Sequence, residues 1–409
     1  MNDIYDLIIV GAGAAGLMAA AEAGALGFKA VVLESQREPG LKILMSGGGR
    51  CNATNARVTE KDYAAGCEHT LRHVLKTFSS SEAVAFFEQW GAPLSLQETG
   101  EYFSADNKAR TVRDALLRAV SAGKVEILCQ HPVKNITVQD GLFNVVAEGA
   151  IRRARAVVVT TGGLSYPSTG SSGAGYALAE SFGHQLVSAR PALTPFLASR
   201  DIFATLSGIA VPVRLSLWAL GRKLRSVEGP MLFTHNGFSG PAPMEISCPW
   251  IDARNDEGEI RVDFFPTEKG QGIGFILDNA GQQNLKNLLA RSLTERLALV
   301  LLSEAKVDGF KHPGKNELWN KEKKALERVL REYTLPVDNV MGYAKAEATA
   351  GGVDLKELKG ATLESRLQPG LYFAGEVLDV NGRIGGFNLQ WAWASAVAVI
   401  RAVAKKYKE

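Results

Sequence analysis

Cysteines, long apolar runs, net charge and repeats are all scarce in this chain of 409 residues, and each scarcity excludes something. The four cysteines (Cys51, Cys67, Cys129, Cys248) are scattered and form no disulfide framework, a usage that suits a reducing cytoplasm. No run of about eighteen uncharged apolar residues occurs, so no membrane span is expected. The most apolar late segment, LQWAWASAVAVI, is too short to cross and reads as a buried helix. The N-terminus is apolar enough to imitate a signal peptide, but Asp3 and Asp6 replace the positive n-region and a nucleotide fingerprint interrupts the run. Internal repeats and low-complexity linkers are absent. A net charge of +3 does not by itself argue for nucleic acid. Metal ligands are equally sparse: His69 and His73 sit at i and i+4 beside Cys67, yet nothing completes a tetrahedral set, so these read as exposed helix residues.

What remains is an ordinary globular composition, 46% hydrophobic and 22% charged, in a chain long enough for two or three domains. Its opening, YDLIIVGAGAAGLMAAAEAGALGFKAVVLES, reads as strand, tight turn, helix and strand. The strand covers Leu7 to Val10, the helix Ala19 to Leu26, and the second strand ends at Glu34. Gly11, Gly13 and Gly16 then form GxGxxG in the context that makes the motif informative. Gly11 makes the turn, Gly13 lets the backbone approach a pyrophosphate, and Gly16 lets the helix pack, while the helix N-terminus offers free N–H groups. Glu34 is positioned to accept hydrogen bonds from both hydroxyls of an adenosine ribose and to repel a 2′-phosphate.

Which dinucleotide is bound is read from the other end, in GLYFAGEVLDVNGRIGGFNLQWAWASA. A strand from Leu371 to Ala374 runs into Gly375 and Glu376, followed by Asp379, the Gly385–Gly386 pair and a helix from about Leu389. A second acid at a strand end is what a ribityl chain requires, and a helix N-terminus there would face the flavin N1–C2=O edge. Between the two motifs lies LKILMSGGGRCNATN, whose three consecutive glycines lose much backbone entropy on folding and contribute no side chain to a core. It follows the second strand at the distance where a loop would cross back over the dinucleotide, with Arg50 and Asn52 able to hydrogen-bond it.

The middle of the chain has a different texture. A third strand is expected from Ala154 to Gly163; after Pro191 come strands with a hairpin turn at Leu220-Gly221, continued by GEIRVDFFP. Two amphipathic helices follow, LKNLLARSLTERLALVLLSEA and ELWNKEKKALERVLREY, with leucines 285, 288, 289, 293, 297, 301 and 302 on one stripe. GSSGAGYALAESFG is the nearest thing to a second GxGxxG, but Leu178 follows Gly173 and Gly175, so it opens a helix and a dedicated NAD(P)H domain is absent.

Together, KILMSGGGRCNATN, FTHNGFSGP (Phe233 to Pro241), AEATAGGV (Ala346 to Val353) and FAGEVLDVNGRIGGFNLQWAWASA resemble the BaiN/RdsA (YhiN-like) family of bacterial FAD flavoproteins. The chain departs from the family in TTGG where ATGG is usual and in Thr294 where proline is frequent. The resemblance implies an α/β fold: a Rossmann-type, glutathione-reductase-like FAD-binding domain split by an inserted β-rich domain and a small helical domain. The boundaries expected are 1–190 for the first part of the FAD domain, 191–270 for the β-rich insert, 271–336 for the helical insert, and 337–409 for the return to the β-rich and FAD-binding domain, with the second FAD motif. The expected FAD-binding residues are Gly11, Gly13, Ala14, Ala15, Gly16, Glu34, Lys42, Ser46, Gly47, Gly48, Arg50, Asn52, Thr161, Gly162, Gly375, Glu376, Asp379, Gly385, Gly386, Phe387 and Asn388.

For the reaction, the resemblance implies reduction of uridine to dihydrouridine in ribosomal RNA, or turnover of a small molecule such as a steroid enone or an aminoketone. A flavin-bearing module without turnover is the third reading. Reduction of a C=C bond needs an acid, for which Cys51 and His235 are the candidates. NAD(P)H is expected as a transient donor; oligomeric state is left open. Charge favours RNA: positions 285–333 hold eleven Lys/Arg against seven Asp/Glu, and 190–226 hold six basic residues against Asp201.

Overall fold

The computed structural model describes residues 4–266, 277, 280–315 and 317–408, and the chain divides into two units, Met1–Pro191 with Ala346–Glu409 and Ala192–Lys345. The first unit is built on five parallel strands in the order Leu371–Phe373, Ala150–Val159, Ile4–Val10, Ala30–Leu33 and Glu126–Leu128. Leu7 to Val10, Val31 to Leu33 and Val157 to Val159 are each at most 3% exposed, which is why they read as unbroken apolar runs rather than alternating ones. A hairpin (Val133–Gln139, Leu142–Ala147) pairs with the first half of Ala150–Val159, so that strand begins four residues before the expected Ala154 and ends at Val159 rather than running on through TTGG.

Helix Ala14–Ala25 covers the sheet and starts five residues before the expected Ala19, because the phosphate turn itself is its first turn. Gly24 near its end allows close approach: a Cβ there would lie 2.7 Å from Gly123 Cα, at the end of helix Ala109–Ala122. The final helix, Phe387–Tyr407, buries Trp391, Trp393, Val397 and Ile400 in the same core. Among the described residues no helix is long and apolar enough to cross a membrane.

The second unit holds a seven-stranded sheet in the order Tyr333–Thr334, Glu259–Asp263, Ala210–Ala219, Arg222–Phe233, Gly237–Ser239, Phe196–Ala198 and Val337–Val340. Its pairs are antiparallel, and in Ala210–Ala219 every second residue from Val211 to Ala219 is buried, as expected for a sheet with one dry face. The hairpin turn falls at Leu220 (φ +49) and Gly221 (φ +72), as read from sequence. The first long amphipathic helix is broken in two, Leu285–Leu289 and Glu295–Ala305, because the hydroxyl of Thr294 accepts from Leu297 N (3.4 Å) and starts a new helix. All seven striped leucines are nonetheless buried.

The inserted strands and helices share one core and one unit, where their differing texture suggested two domains. Phe264 N donates to Leu330 O (2.9 Å) and Leu335 N to Ile260 O (2.8 Å), so strand and helix regions interlock. Val337–Val340 is an edge strand of this sheet, and the unit runs on to Lys345. The expected boundary at 270/271 lies outside the described residues.

Candidate functional site

The carboxyl ends of the parallel strands deliver the motif residues to one edge of the sheet, the place where doubly wound folds bind ligands. Gly11 (φ +100) turns the chain there, and Gly16 closes the turn: a Cβ on Gly16 would fall 1.9 Å from Gly11 O. A Cβ on Gly13 would meet nothing within 4 Å, so the space above the turn is open. Helix Ala14–Ala25 has no side-chain cap, which leaves its first N–H groups, at Ala14 and Ala15, directed at that space. Glu34, 8% exposed, sits against the turn: Oε2 accepts from Ala12 N (2.6 Å), and Oε1 accepts from Gln36 N (2.8 Å) and Ser35 Oγ (3.1 Å). Oε1 is thereby filled, so Oε2 is the atom left for a ribose hydroxyl, and the expected two-hydroxyl grip reduces to one.

The second motif arrives beside the first. A Cβ on Gly375 would lie 2.7 Å from the Cβ of Ala15, bringing residues 360 positions apart into contact. Gly375 is held by the last helix: its N–H donates to Ser395 Oγ (2.9 Å), and its carbonyl accepts from Trp391 Nε1 (3.1 Å). Glu376 is tied into the site. Its Oε1 accepts from Ser165 Oγ (2.8 Å) and Thr349 N (2.7 Å), and its Oε2 accepts from Lys42 Nζ. Oε1 is thereby filled, while Oε2, with one donor, keeps room for a hydroxyl as Glu34 Oε2 does. Asp379 Oδ1 accepts from Gly351 N (3.1 Å) and steadies the neighbouring AEATAGGV strand.

The glycine-rich stretch answers its own puzzle. Residues 41–45 form a short helix, and Gly47, Gly48 and Gly49 follow with φ of +57°, +66° and +87°, a left-handed turn that side chains disfavour. The turn throws strand Asn52–Asn55 under the start of the last helix. There Trp393 Nε1 donates to Ala53 O (2.9 Å), Thr54 Oγ1 to Gln390 Oε1 (2.7 Å), and Asn55 Nδ2 to Gly385 O (3.0 Å). Oriented to satisfy both its neighbours, the Asn52 amide donates to Thr54 O and accepts from Gly386 N, each at 3.2 Å. Asn388 clasps Gly382 through both backbone groups (2.8 and 3.0 Å), and Phe387 O accepts from Tyr63 OH (2.9 Å). Gly386 caps the last helix without a side chain, so a second uncapped N-terminus opens here. Arg50 is exposed, with its guanidinium 4.4 Å from the centre of the Phe103 ring.

These features fit a dinucleotide. The open space at Gly13, two uncapped helix N-termini, and the buried hydroxyl of Thr161, which has no partner among the described residues, are what a bound pyrophosphate and flavin would satisfy. Gly162 (φ +73) extends the same edge from the neighbouring strand.

The sequence profile described as "HI0933-like protein Rossmann domain" matches residues 5–402. The chain belongs to the HI0933-like family. Among its relatives is the Escherichia coli (strain K12) protein named ribosomal RNA dihydrouridine synthase, 34% identical over 399 residues, spanning 96% of each chain. Another, from Clostridium scindens, is named 3-dehydro-bile acid delta(4,6)-reductase; it is 32% identical over 408 residues, covering 97% of this chain and 98% of that one. Of solved structures, the 3-ketosteroid delta1-dehydrogenase of Sterolibacterium denitrificans shares the fold, with a TM-score of 0.51 and 13% identity over 99% of this chain and 100% of that one. With family and site geometry together, this HI0933-like chain is an FAD-dependent oxidoreductase.

The two candidate acids differ in setting. Cys51 is 0% exposed, packed in the core of the first unit, and burial pushes its thiol up to about 12, against a smaller lowering by Ser46. Buried so, it has no exposed surface from which to act as the acid named from sequence. His235 is exposed on the turn after Phe233, within the other unit. His69 and His73 are exposed and Cys67 half-buried, and no metal-binding cluster occurs among the described residues.

Four polar residues of this HI0933-like site escaped the sequence reading: Ser165, Tyr166, Glu347 and Thr349. Lys42 Nζ bridges Ser165 Oγ and Glu376, while Thr349 Oγ1 accepts from Leu164 N (2.9 Å) and Ser165 N (3.1 Å). Glu347 lies in the bend just before strand Ala348–Val353, where its charge is felt by Lys42 and Tyr166. Burial lifts the Glu347 carboxyl above the usual range, with Lys42 drawing it partly back, and Glu347 helps burial to lift the Tyr166 phenol. The period-two pattern in AEATAGG was the available signal.

Proposed function

We propose that this protein reduces the C5=C6 bond of a uridine in ribosomal RNA, giving dihydrouridine. The observation that carries the reading is the near-full-length relationship to a ribosomal RNA dihydrouridine synthase, at 34% identity over 96% of both chains. The local basic excess over 285–333, eleven Lys/Arg against seven Asp/Glu, supports it, as phosphate contacts supply most of the affinity for RNA. Bound FAD would supply a hydride to C6. The chain's own task is then to hold the base against that face, exclude water and deliver a proton to C5. Glu347 is the group best suited to that proton, because burial keeps more of its carboxyl protonated near neutrality than an ordinary glutamate. Lys42, tied to Ser165 and Glu376, fixes the positive charge beside it. His235 is the alternative donor. NAD(P)H would act as a visiting reductant, and the cytoplasm, where ribosomal RNA is found, would be the setting.

The second reading, reduction of an enone in a small molecule, is favoured by the bile acid reductase relative at 32% identity. Both readings share one chemistry, reduction of a C=C bond conjugated to a carbonyl. Mass-spectrometric nucleoside analysis of ribosomal RNA from cells with and without the protein separates them. Loss of a dihydrouridine on deletion, restored by the wild-type chain, is the expected result; unchanged nucleosides would refute the RNA reading.

A further inference from the structure

Phe310 and Trp319 are the phenylalanine and tryptophan side chains that stand exposed among the described residues, at 69% and 75%. Single exposed apolar side chains are common on protein surfaces. These two differ in being rigidly mounted and joined. Phe310 N donates to Asp308 Oδ1 (2.9 Å), and the carbonyls on either side of it, Gly309 O and Lys311 O, accept from Lys286 N and Leu285 N (both 2.9 Å). Trp319 sits at the start of helix Asn320–Arg331, where its N–H donates to Glu322 Oε2 (3.0 Å) and its carbonyl accepts from Lys323 N (3.0 Å). The same Glu322 carboxylate receives Lys311 Nζ at 2.7 and 2.9 Å, so one side chain ties the residue after Phe310 to the backbone of Trp319.

The surroundings are basic. Residues 306–324 contain six lysines against Asp308, Glu317 and Glu322. Lys311 is spent on Glu322, whereas Lys306, Lys315, Lys321, Lys323 and Lys324 make no ion pair among the described residues. Exposed aromatic side chains on hydrogen-bonded backbone, among lysines without ion pairs, are the composition of a platform for unpaired nucleotides, where bases stack and phosphates meet cations. A protein interface would instead be depleted in lysine.

We propose that Phe310 and Trp319, with Lys321, Lys323 and Lys324, form a binding site for single-stranded RNA in the inserted unit. The assignment rests on the ribosomal RNA reading but concerns a surface rather than the reacting bond. The test uses flavin-loaded full-length protein and fluorescence anisotropy with a short fluorescein-labelled oligouridylate. Base–aromatic stacking of about 1–3 kcal/mol predicts that Trp319→Ala and Phe310→Ala each weaken binding roughly 5- to 150-fold, with Trp319→Phe recovering most of the loss. The alanine variants should leave the salt slope unchanged, whereas Lys321, Lys323 and Lys324 changed together to Glu should flatten it by about 0.7 for each phosphate no longer neutralised. Wild-type protein that does not bind the oligouridylate at low salt, or alanine variants that bind like wild type, would overturn the site. Nucleoside analysis keeps the two ideas apart. Aromatic-dependent binding with no dihydrouridine in ribosomal RNA would refute the reaction and support the surface; wild-type dihydrouridine in cells carrying the double alanine variant would refute the surface and support the reaction.

Discussion

Replacing Glu347 by glutamine removes a proton and little else. The amide keeps the volume and the half-buried position, and Lys42 stays bound to Ser165 and Glu376, so the polar frame of the site survives. If Glu347 supplies the proton to C5, the loss is that of a general acid, about 10²- to 10⁴-fold, or roughly 2.7–5.4 kcal/mol in the barrier. Stopped-flow reoxidation of pre-reduced enzyme by its substrate, with oxygen excluded, reads that step directly. The pH profile carries a second signature. Burial raises the Glu347 pKa more than Lys42 lowers it, so the wild-type rate should hold above the usual carboxylate range and then fall as pH rises through the raised value. The glutamine variant should lose that limb. Stability runs with the same sign: a carboxyl whose folded pKa is raised favours the folded state below the unfolded pKa, and that contribution is lost as pH rises through the folded pKa. Glu347→Gln should therefore lose less thermal stability than wild type between mildly acidic and mildly alkaline buffer. A variant with normal flavin absorbance, the wild-type reoxidation rate and the wild-type pH profile would refute the role, and His235→Ala would be the next variant to measure.

Cys51 should be inert: with its thiol pushed up to about 12 and no exposed surface, native protein at pH 8 should leave it unlabelled by iodoacetamide in peptide mapping, while Cys51→Ala keeps its flavin and its rate. Labelling at the rate of a free thiol would show that the loop opens. Heat-released cofactor from the wild type should chromatograph as FAD, and Glu34→Ala should weaken its retention by on the order of 1–3 kcal/mol, since Ala12 N and a ribose hydroxyl both lose an acceptor. Full FAD occupancy of that variant after exhaustive dialysis would remove Glu34 from the ribose site.

The parts of this protein that are legible in sequence are those whose constraint is local. Gly16 is required by Gly11 O five residues away, Gly11 by its own φ of +100°, and the acid at Glu34 follows from the length of one strand–helix–strand unit. The hairpin at Leu220-Gly221 is likewise a matter of two backbone angles. The burial of Cys51 has the opposite kind of cause: the strand that follows it is held by helix residues Gln390 and Trp393 from more than three hundred positions away. The frame around Glu376 was illegible, because its partners Lys42, Ser165 and Thr349 come from three separate segments. The leucine stripe from 285 to 302 concealed a break, because buried positions keep their spacing across a cap that one threonine supplies.

The clasp between strand Asn52–Asn55 and the last helix sets an order of events during synthesis. Gly11, Glu34 and the glycine turn leave the ribosome early, yet Ala53 O, Thr54 Oγ1 and Asn55 Nδ2 wait for their partners Trp393, Gln390 and Gly385. Until helix Phe387–Tyr407 emerges, Gly375 also lacks the Ser395 and Trp391 hydrogen bonds that set it against Ala15. A nascent chain therefore carries a phosphate turn without a flavin cradle. Loading with cofactor is postponed until the last helix is made, and prematurely terminated chains are left colourless.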